Sequence, residues 1–483
     1  MKNLLRKQLW LLLLSPYMGL VSGCKTTTID EITPPTTQDS VKTDVAFWMT
    51  RADQSALFQK QNTSLLFNTS DNSNLTIDVD TTQTYQSIDG FGFALTGGSA
   101  TLINSLDAAK KEALLQELFL TDTTHIGISY LRISIGASDL SATPFTYDEM
   151  PAGQTDINLQ SFSIAKEETD LIPILKQIIA LNPSIKIIAT PWTAPTWMKS
   201  NNSYEGGSLI ASYYDTYARY FVKYIQAMQA EGIPITAITP QNEPLNAYNN
   251  PSMLMQANEE ASFVKNYLGP QFNANNLNTK IVIYDHNLDQ AIYPLTVLQD
   301  STANKYIDGS AFHLYAGDIS TMSSIHQSFP SKNLYFTEQY TASTGNFNGD
   351  LQWHTNNLII GATRNWSKNV LEWNLASDPN MEPHTIGGCS TCLGAITIGS
   401  NNVIRNVSYY IIAHASKFVR PGSVRIASTI VGDLQNVAFK TPDGKKVLIV
   451  LNNGTATSTF NIRFNQKSVS PTLMAGAVGT FIW

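Results

Sequence analysis

The feature that most restricts this chain is an alternation. From residue 86 to residue 418, short β-branched or aromatic runs are mostly followed by stretches with apolar residues at i, i+3 and i+4. These are the signatures of a buried strand and an amphipathic helix. The strand candidates are Ser87–Leu95, Ile128–Ile135, Lys186–Pro191, Ile235–Thr239, Lys280–Tyr284, Gly309–Leu314, Asn333–Thr337 and Val370–Asn374. Helical periodicity runs over Asp107–Leu120, Lys166–Leu181, Ala211–Ala230, Glu259–Leu268, Leu351–Trp366 and Asn406–Phe418. Eight strands interleaved with helices over this length is the arithmetic of an α/β fold closed into a (β/α)8 TIM barrel. The rival, an open doubly wound sheet, carries a GxGxxG turn after its first strand, and none stands there.

Past Arg420 the helical period stops. Val424–Ile426, Val437–Lys440, Lys446–Asn452 and Thr459–Phe464 alternate or run apolar, with turns such as Pro442-Asp443-Gly444 between them. Together with alternating stretches such as Leu75–Val79, they read as a small antiparallel β-sandwich built from both ends of the chain. The expected layout is N-terminal strands over residues 45–84, the barrel over 85–418 and the rest of the sandwich over 419–483.

The extreme N-terminus reads as a targeting segment, residues 1–24. Lys2, Arg6 and Lys7 precede the apolar run Leu9–Leu14, too short to span a bilayer, which takes about 20 apolar residues. The tetrad Val21-Ser22-Gly23-Cys24 resembles a bacterial lipobox, which makes Cys24 the lipidated first residue of an exported protein held at the cell envelope. Plain secretion with cleavage nearby is the alternative. Residues 25–44, rich in Thr, Pro and Asp, read as a flexible tether.

Charged residues are only 14% of the chain and the net charge is −7, which excludes a nucleic-acid partner and suits neutral polar ligands. Two further cysteines, Cys389 and Cys392, lie in Gly-Gly-Cys-Ser-Thr-Cys-Leu-Gly. No second pair completes a zinc site, and the glycines indicate a loop rather than a redox helix. In an oxidising compartment a local disulfide is favoured over free thiols. No HExxH, P-loop or GxSxG elbow occurs, so neither a metal nor a cofactor is expected.

In a barrel of this type chemistry collects at the C-terminal ends of the strands. The fourth strand ends in Thr239-Pro240-Gln241-Asn242-Glu243-Pro244 and the seventh in Phe336-Thr337-Glu338-Gln339-Tyr340, each placing a glutamate where the chain emerges at the mouth. Retaining glycoside hydrolysis needs such a pair, one carboxylic acid to protonate the leaving oxygen and one carboxylate to attack, about 5–5.5 Å apart. Asn242 is placed to hydrogen-bond the sugar 2-hydroxyl. A lone glutamate at a strand end is more often a salt-bridge or capping residue; the two together point to chemistry.

In order along the chain stand Gly90-Phe91-Gly92, Tyr130-Leu131-Arg132-Ile133-Ser134-Ile135-Gly136 with Asp139, and Thr190-Pro191-Trp192-Thr193-Ala194-Pro195-Thr196-Trp197-Met198-Lys199. Gln241-Asn242-Glu243-Pro244, Phe312-His313-Leu314-Tyr315, Thr337-Glu338 and Glu372-Trp373-Asn374-Leu375 follow. This ordered set resembles glycoside hydrolase family 30, the family of glucosylceramidases and β-1,6-glucanases. The resemblance implies Glu243 as acid/base and Glu338 as nucleophile, with Arg132 keeping the nucleophile oriented and ionised. It implies sugar-binding roles for Asp139, Trp192, Trp373 and Asn374, and a hydrogen bond from Tyr315 near the nucleophile. His313 matches a family histidine whose part is open between structure and chemistry, Trp197 reads as a core aromatic and Lys199 as a solvated loop charge. The implied substrate is a β-1,6-glucan, with glucosylceramide or short β-glucosides second. A surface glycan-binding protein on an inactivated barrel is the alternative of another class.

Overall fold

The computed structural model describes residues 42–483; Cys24, the targeting segment and nearly all of the tether fall outside them. Eight strands close into a barrel, labelled here in chain order: β1 (Gly90–Ala94), β2 (Tyr130–Ser134), β3 (Lys186–Thr190), β4 (Ala237–Ile238), β5 (Lys280–Asn287), β6 (Ile307–His313), β7 (Asn333–Glu338) and β8 (Ser367–Asn374). Every neighbouring pair is parallel, and β8 pairs with β1 to close the ring. The fourth strand is shorter than the expected Ile235–Thr239, although the Thr236 and Thr239 N–H groups still donate to the Ile187 and Ala189 carbonyls of β3.

The outer helices include Ala108–Phe119, Leu171–Leu181, Tyr214–Ala230, Phe347–His354 and Val407–Ser416. Asp107 caps the first of these by accepting from the Lys110 N–H at 2.9 Å. Helix Ala257–Phe263 continues through a π turn, Val264–Leu268, into Gly269–Ala274. Helices Ile292–Gln299 and Thr321–Ser328 complete the units after β5 and β6. At eight residues each they are too short to show a repeating apolar stripe.

Strand alternation explains what faces the barrel axis. Tyr130, Ile188, Ala237, Val282, Ala311, Tyr335 and Leu371, one from each of β2–β8, form a buried cluster separate from the core between strands and helices. Side chains two residues apart share a face, so the next inward layer toward the mouth is Arg132, Thr190, Thr239, His313, Thr337 and Trp373. Strand β5 breaks this count. Tyr284 and Asp285 both have positive φ (76° and 59°), and the register against β6 shifts between Tyr284 and His286. The bulge points Asp285 inward, where strict alternation would put Tyr284.

The second layer is a nine-stranded sheet in the order Gln59–Lys60, Ala46–Thr50, Val478–Ile482, Lys446–Asn452, Leu434–Lys440, Val424–Ser428, Thr76–Ser87, Asn461–Phe464, Lys467–Val469. Segments from both chain ends share it, and its own apolar core includes Phe47, Ile77, Leu448 and Phe481. It departs from the antiparallel expectation at one pairing, Asn461–Phe464 against Thr76–Ser87, which is parallel. His414 on the last barrel helix ties the two layers, with Thr480 Oγ1 and Thr50 Oγ1 each 2.8 Å from its ring nitrogens.

Candidate active site

The inward layer converges on Asp285. Its buried carboxylate accepts from Arg132 Nη2 (2.9 Å), from the hydroxyls of Thr337 (2.6 Å), Thr239 (2.8 Å) and Thr190 (3.2 Å), and meets His313 Nε2 at 3.1 Å. Burial alone would raise its pKa, but the charges of Arg132 and His313 hold it far below the carboxylate range. Asp285 is therefore a fixed anion at the centre of the barrel mouth.

Arg132 is completely buried, and through it the anion reaches Glu338. Its Nη1 donates to Glu338 Oε2, and Nη2 also donates to Asn242 Oδ1 at 2.6 Å. The guanidinium carbon lies 4.8 Å from the Trp192 ring centroid and 5.5 Å from that of Trp373, and the two indoles stack at 5.4 Å. Those aromatic faces favour the cation and keep water from it. Glu338 also accepts from the Tyr315 hydroxyl at 2.9 Å.

Glu243 sits in a left-handed backbone conformation (φ 44°) where the chain leaves β4. Its N–H donates to the Asp285 carbonyl at 3.0 Å, and its Oε2 accepts from Asn246 Nδ2 at 2.8 Å. His313 Nδ1 lies 3.2 Å from its Oε1. Burial would lower the His313 pKa, but the Glu338 charge and the hydrogen bonds to Asp285 and Glu243 raise it to about 9. Conversely, burial would raise Glu243, and the histidine's hydrogen bond and charge bring it to about 2. The two shifts run in opposite senses and favour the proton on His313 over Glu243.

Carboxylate oxygens of Glu243 and Glu338 and a nitrogen of His313 all lie within 4.8 Å of one another. Two carboxylates this close match the spacing of a retaining pair and leave no room for the intervening water of an inverting one. The trio has the donors of a three-ligand metal set, yet each is already engaged: Glu338 by Arg132 and Tyr315, Glu243 by Asn246, His313 by Asp285.

The pair opens into a cleft of about 580 Å³ walled by Asp139, Trp192, Tyr315, Tyr340, Trp373 and the Cys389–Cys392 loop. Those two cysteines are joined as a disulfide. The Cys389 N–H donates to Asp139 Oδ2 at 3.3 Å and the Thr385 N–H to the Asp139 carbonyl at 2.8 Å, so the loop holds Asp139 from two sides. Burial, with Glu338 nearby, pushes the Asp139 carboxyl up to about 7.

Two expected positions are corrected, Asn374 and Lys199. Arg132 donates to Glu338 through Nη1 and to Asn242 Oδ1 through Nη2, beside the carboxylates. Asn374 turns away from the cleft, its Nδ2 3.4 Å from both the Ala376 and Cys392 carbonyls, and supports the disulfide loop from below. Lys199 is not solvated. It is buried, with Nζ donating to the carbonyls of Ser203 (2.7 Å), Tyr204 (3.2 Å) and Ser252 (2.7 Å), and burial lowers its pKa to about 7. Sequence reasoning missed Asp285, Asn246 and His286, which borders the cleft with its Nε2 3.9 Å from Glu243 Oε1. A polar Asp-His-Asn triplet ending an apolar strand was the available signal for Asp285 and His286.

A (β/α)8 barrel with two buried glutamates held this close at its mouth defines the class, a glycoside hydrolase. The chain belongs to glycosyl hydrolase family 30, whose TIM-barrel domain matches residues 88–419 and whose beta sandwich domain matches residues 422–481. It is 36% identical over 405 residues to an endo-1,6-β-D-glucanase of Trichoderma harzianum, covering 78% of this chain and 80% of that one. It is 28% identical over 434 residues to the mouse lysosomal acid glucosylceramidase, covering 83% and 81%. Among solved structures, an endo-β1,6-glucanase superposes with a TM-score of 0.84 at 36% identity, covering 92% of this chain and 99% of that one.

Proposed function

We propose that the protein hydrolyses β-1,6-linked glucan with retention, Glu243 acting as acid/base and Glu338 as nucleophile. The observation that carries the chemistry is the pair of carboxylates within 4.8 Å, one bound by Arg132 and Tyr315 and the other 3.2 Å from His313 Nδ1. A pyranoside entering the cleft displaces water from Glu243, disfavours its charged form and draws the proton across from His313. The Glu338 carboxylate then attacks the anomeric carbon. The bond to the leaving oxygen breaks as that oxygen takes the proton from Glu243, and a glycosyl ester on Glu338 results. Water attacks the anomeric carbon of this ester, gives its proton to Glu243 and releases Glu338; as product leaves, that proton returns to His313, and all three residues regain their starting states.

The preference for β-1,6-glucan is supported by identity to endo-1,6-glucanases, 36% for both the Trichoderma relative and the solved structure, against 28% for the glucosylceramidase. Asp139, Trp192, Trp373 and Tyr315 would hold the sugar ahead of the nucleophile. Export and lipidation at Cys24 belong to the same proposal, supported by the charged, apolar and small-residue order of residues 1–24. Labelling with a radioactive fatty acid tests this, and incorporation that survives Cys24→Ala refutes the anchor.

The deciding assay offers β-1,6-glucan, glucosylceramide in detergent and an aryl β-glucoside to residues 25–483, with Glu338→Gln as control. Turnover of glucan above the others, abolished in the variant, supports the reading. Binding of glucan without turnover of any substrate replaces the enzyme with a glycan-binding protein.

A further inference from the structure

The loop that follows Glu243 carries an aromatic ring with almost nothing packed on it. Tyr248 is 93% exposed, yet it borders the same cleft as Glu243 and Glu338. The residue itself is well held. Its N–H donates to Asn246 Oδ1 at 3.0 Å, while Asn246 Nδ2 donates to Glu243 Oε2 at 2.8 Å. One carboxamide therefore spans from the acid/base carboxylate to the residue bearing the ring. Two positions on, Asn250 Nδ2 donates to the Ile386 carbonyl at 3.0 Å, and Thr385 Oγ1 donates to the Asn250 carbonyl. These bonds tie the loop to the one closed by Cys389 and Cys392.

We infer that Tyr248 is the platform on which the leaving sugar stacks, with Asn246 setting its place relative to the acid. The inference rests on Glu243 as acid/base and on β-1,6-glucan as substrate. An acid stands on the side of the oxygen that it protonates, so the leaving unit lies along the segment that follows Glu243. In a 1,6 linkage that oxygen hangs from an exocyclic carbon. The leaving ring then stands one bond further out than a ring linked through its own hydroxyl, and turns about one more torsion. Ordering so loose a ring is costly, and a flat surface at a fixed place beyond the mouth reduces that cost. A tyrosine ring held by its backbone, with its faces free at the rim, is such a surface for the apolar C–H face of a pyranose. Binding energy gained on this non-reacting unit favours the transition state as well as the bound substrate.

The test compares kcat/KM for β-1,6-glucan with that for β-glucosyl fluoride, whose leaving group needs neither protonation nor a second sugar site. It uses the full chain and its Tyr248→Ala and Tyr248→Phe variants. Aromatic stacking of about 0.5–1.5 kcal/mol corresponds to a loss of up to about tenfold. The expected result is that Tyr248→Ala lowers the glucan-to-fluoride ratio about tenfold and Tyr248→Phe restores it. A ratio within twofold of wild type in Tyr248→Ala, or equal losses on both substrates, overturns the platform. Wild-type protein that turns over the fluoride but not the glucan overturns the substrate reading, and the platform with it; wild type inert on both overturns the hydrolase reading itself.

Discussion

The N–H of Glu243 donates to the carbonyl of Asp285 at 3.0 Å, while the Asp285 carboxylate receives the guanidinium that also holds Glu338. One residue thereby places both glutamates, the first through its main chain and the second through its side chain. Both Glu243 and Asp285 lie at positive φ, a conformation that costs a non-glycine residue about 1–3 kcal/mol and persists only where its surroundings enforce it. Movement of the β5 bulge would disturb both halves of the chemistry at once.

Replacing Asp285 by Asn keeps the shape and removes the charge that Arg132 and His313 face. Because one partner of a buried ion network is lost, stability should fall by about 3 kcal/mol. With one anchor of Arg132 weakened and His313 without the Asp285 charge, kcat on an aryl β-glucoside should fall at least about a hundredfold. Thermal melts and steady-state rates of Asp285→Asn check both. A variant with wild-type kcat would remove Asp285 from the site's organisation.

Glu243→Gln separates acid from nucleophile. Glucosides with poor leaving groups should lose about 10²–10⁴ in kcat/KM, the usual worth of a positioned proton donor. A dinitrophenyl glucoside, which departs without protonation, should lose far less, and added azide should yield the β-glucosyl azide. An azide product of α configuration, or equal losses across leaving groups, would count against the assignment.

Glu260 is buried beneath the β5 bulge, where its Oε1 accepts the Tyr284 N–H at 3.2 Å. Burial is the main cause that pushes its pKa from the ordinary 4.5 up to about 8. A folded-state pKa above the unfolded one contributes stability that is complete below 4.5 and is lost as pH rises through 8. Wild-type stability should therefore decline between about pH 5 and pH 8 by more than that of Glu260→Gln, in parallel urea titrations. Glu260→Leu, which leaves the Tyr284 N–H unpaired, should lower kcat about tenfold, whereas Glu260→Gln should not; an orphaned buried donor costs about 1–3 kcal/mol.

His414 behaves in the opposite sense. Burial between Thr50 and Thr480 lowers its pKa from the ordinary 6.5 to about 3. Its neutral form stabilises the fold above 6.5, and that contribution disappears as pH falls toward 3, at up to about 1.4 kcal/mol per pH unit. Unfolding of the wild type and His414→Gln at pH 7, 5 and 4 should show a steeper acid loss in the wild type. Parallel pH dependences would refute it.

The barrel was legible because strands buried on both faces read as unbroken β-branched and aromatic runs, and the two glutamates because they terminate such runs. What escaped has physical reasons. Asp285 was hidden by a bulge, which shifts the two-residue period by one and exchanges inward for outward. Helices Ile292–Gln299 and Thr321–Ser328 span barely two turns, and Ile292 is itself mostly exposed, so no apolar stripe develops. Lys199 looked solvated because a lysine's usual partner is water; here the carbonyls of Ser203 and Tyr204, on the loop that folds back over it, and of the distant Ser252 replace it, and a turn that closes on a side chain leaves no mark in a periodic pattern. Asn374 sits at the expected strand end, but a side-chain rotation of the kind that sequence does not encode directs it under the disulfide loop.

Strand Ala46–Thr50 pairs along its whole length with Val478–Ile482, so the first β-structure of the described chain waits for nearly the last. During synthesis the early strand has only the two residues Gln59–Lys60 to pair with, while more than 400 residues are still to be added. Most barrel strands can meet a neighbour in turn as they emerge; the sandwich cannot close until Val478–Ile482 has been made. Loss of Val478–Ile482 would therefore unseat the opening strand and bare its apolar face, making that late strand a checkpoint for the early one.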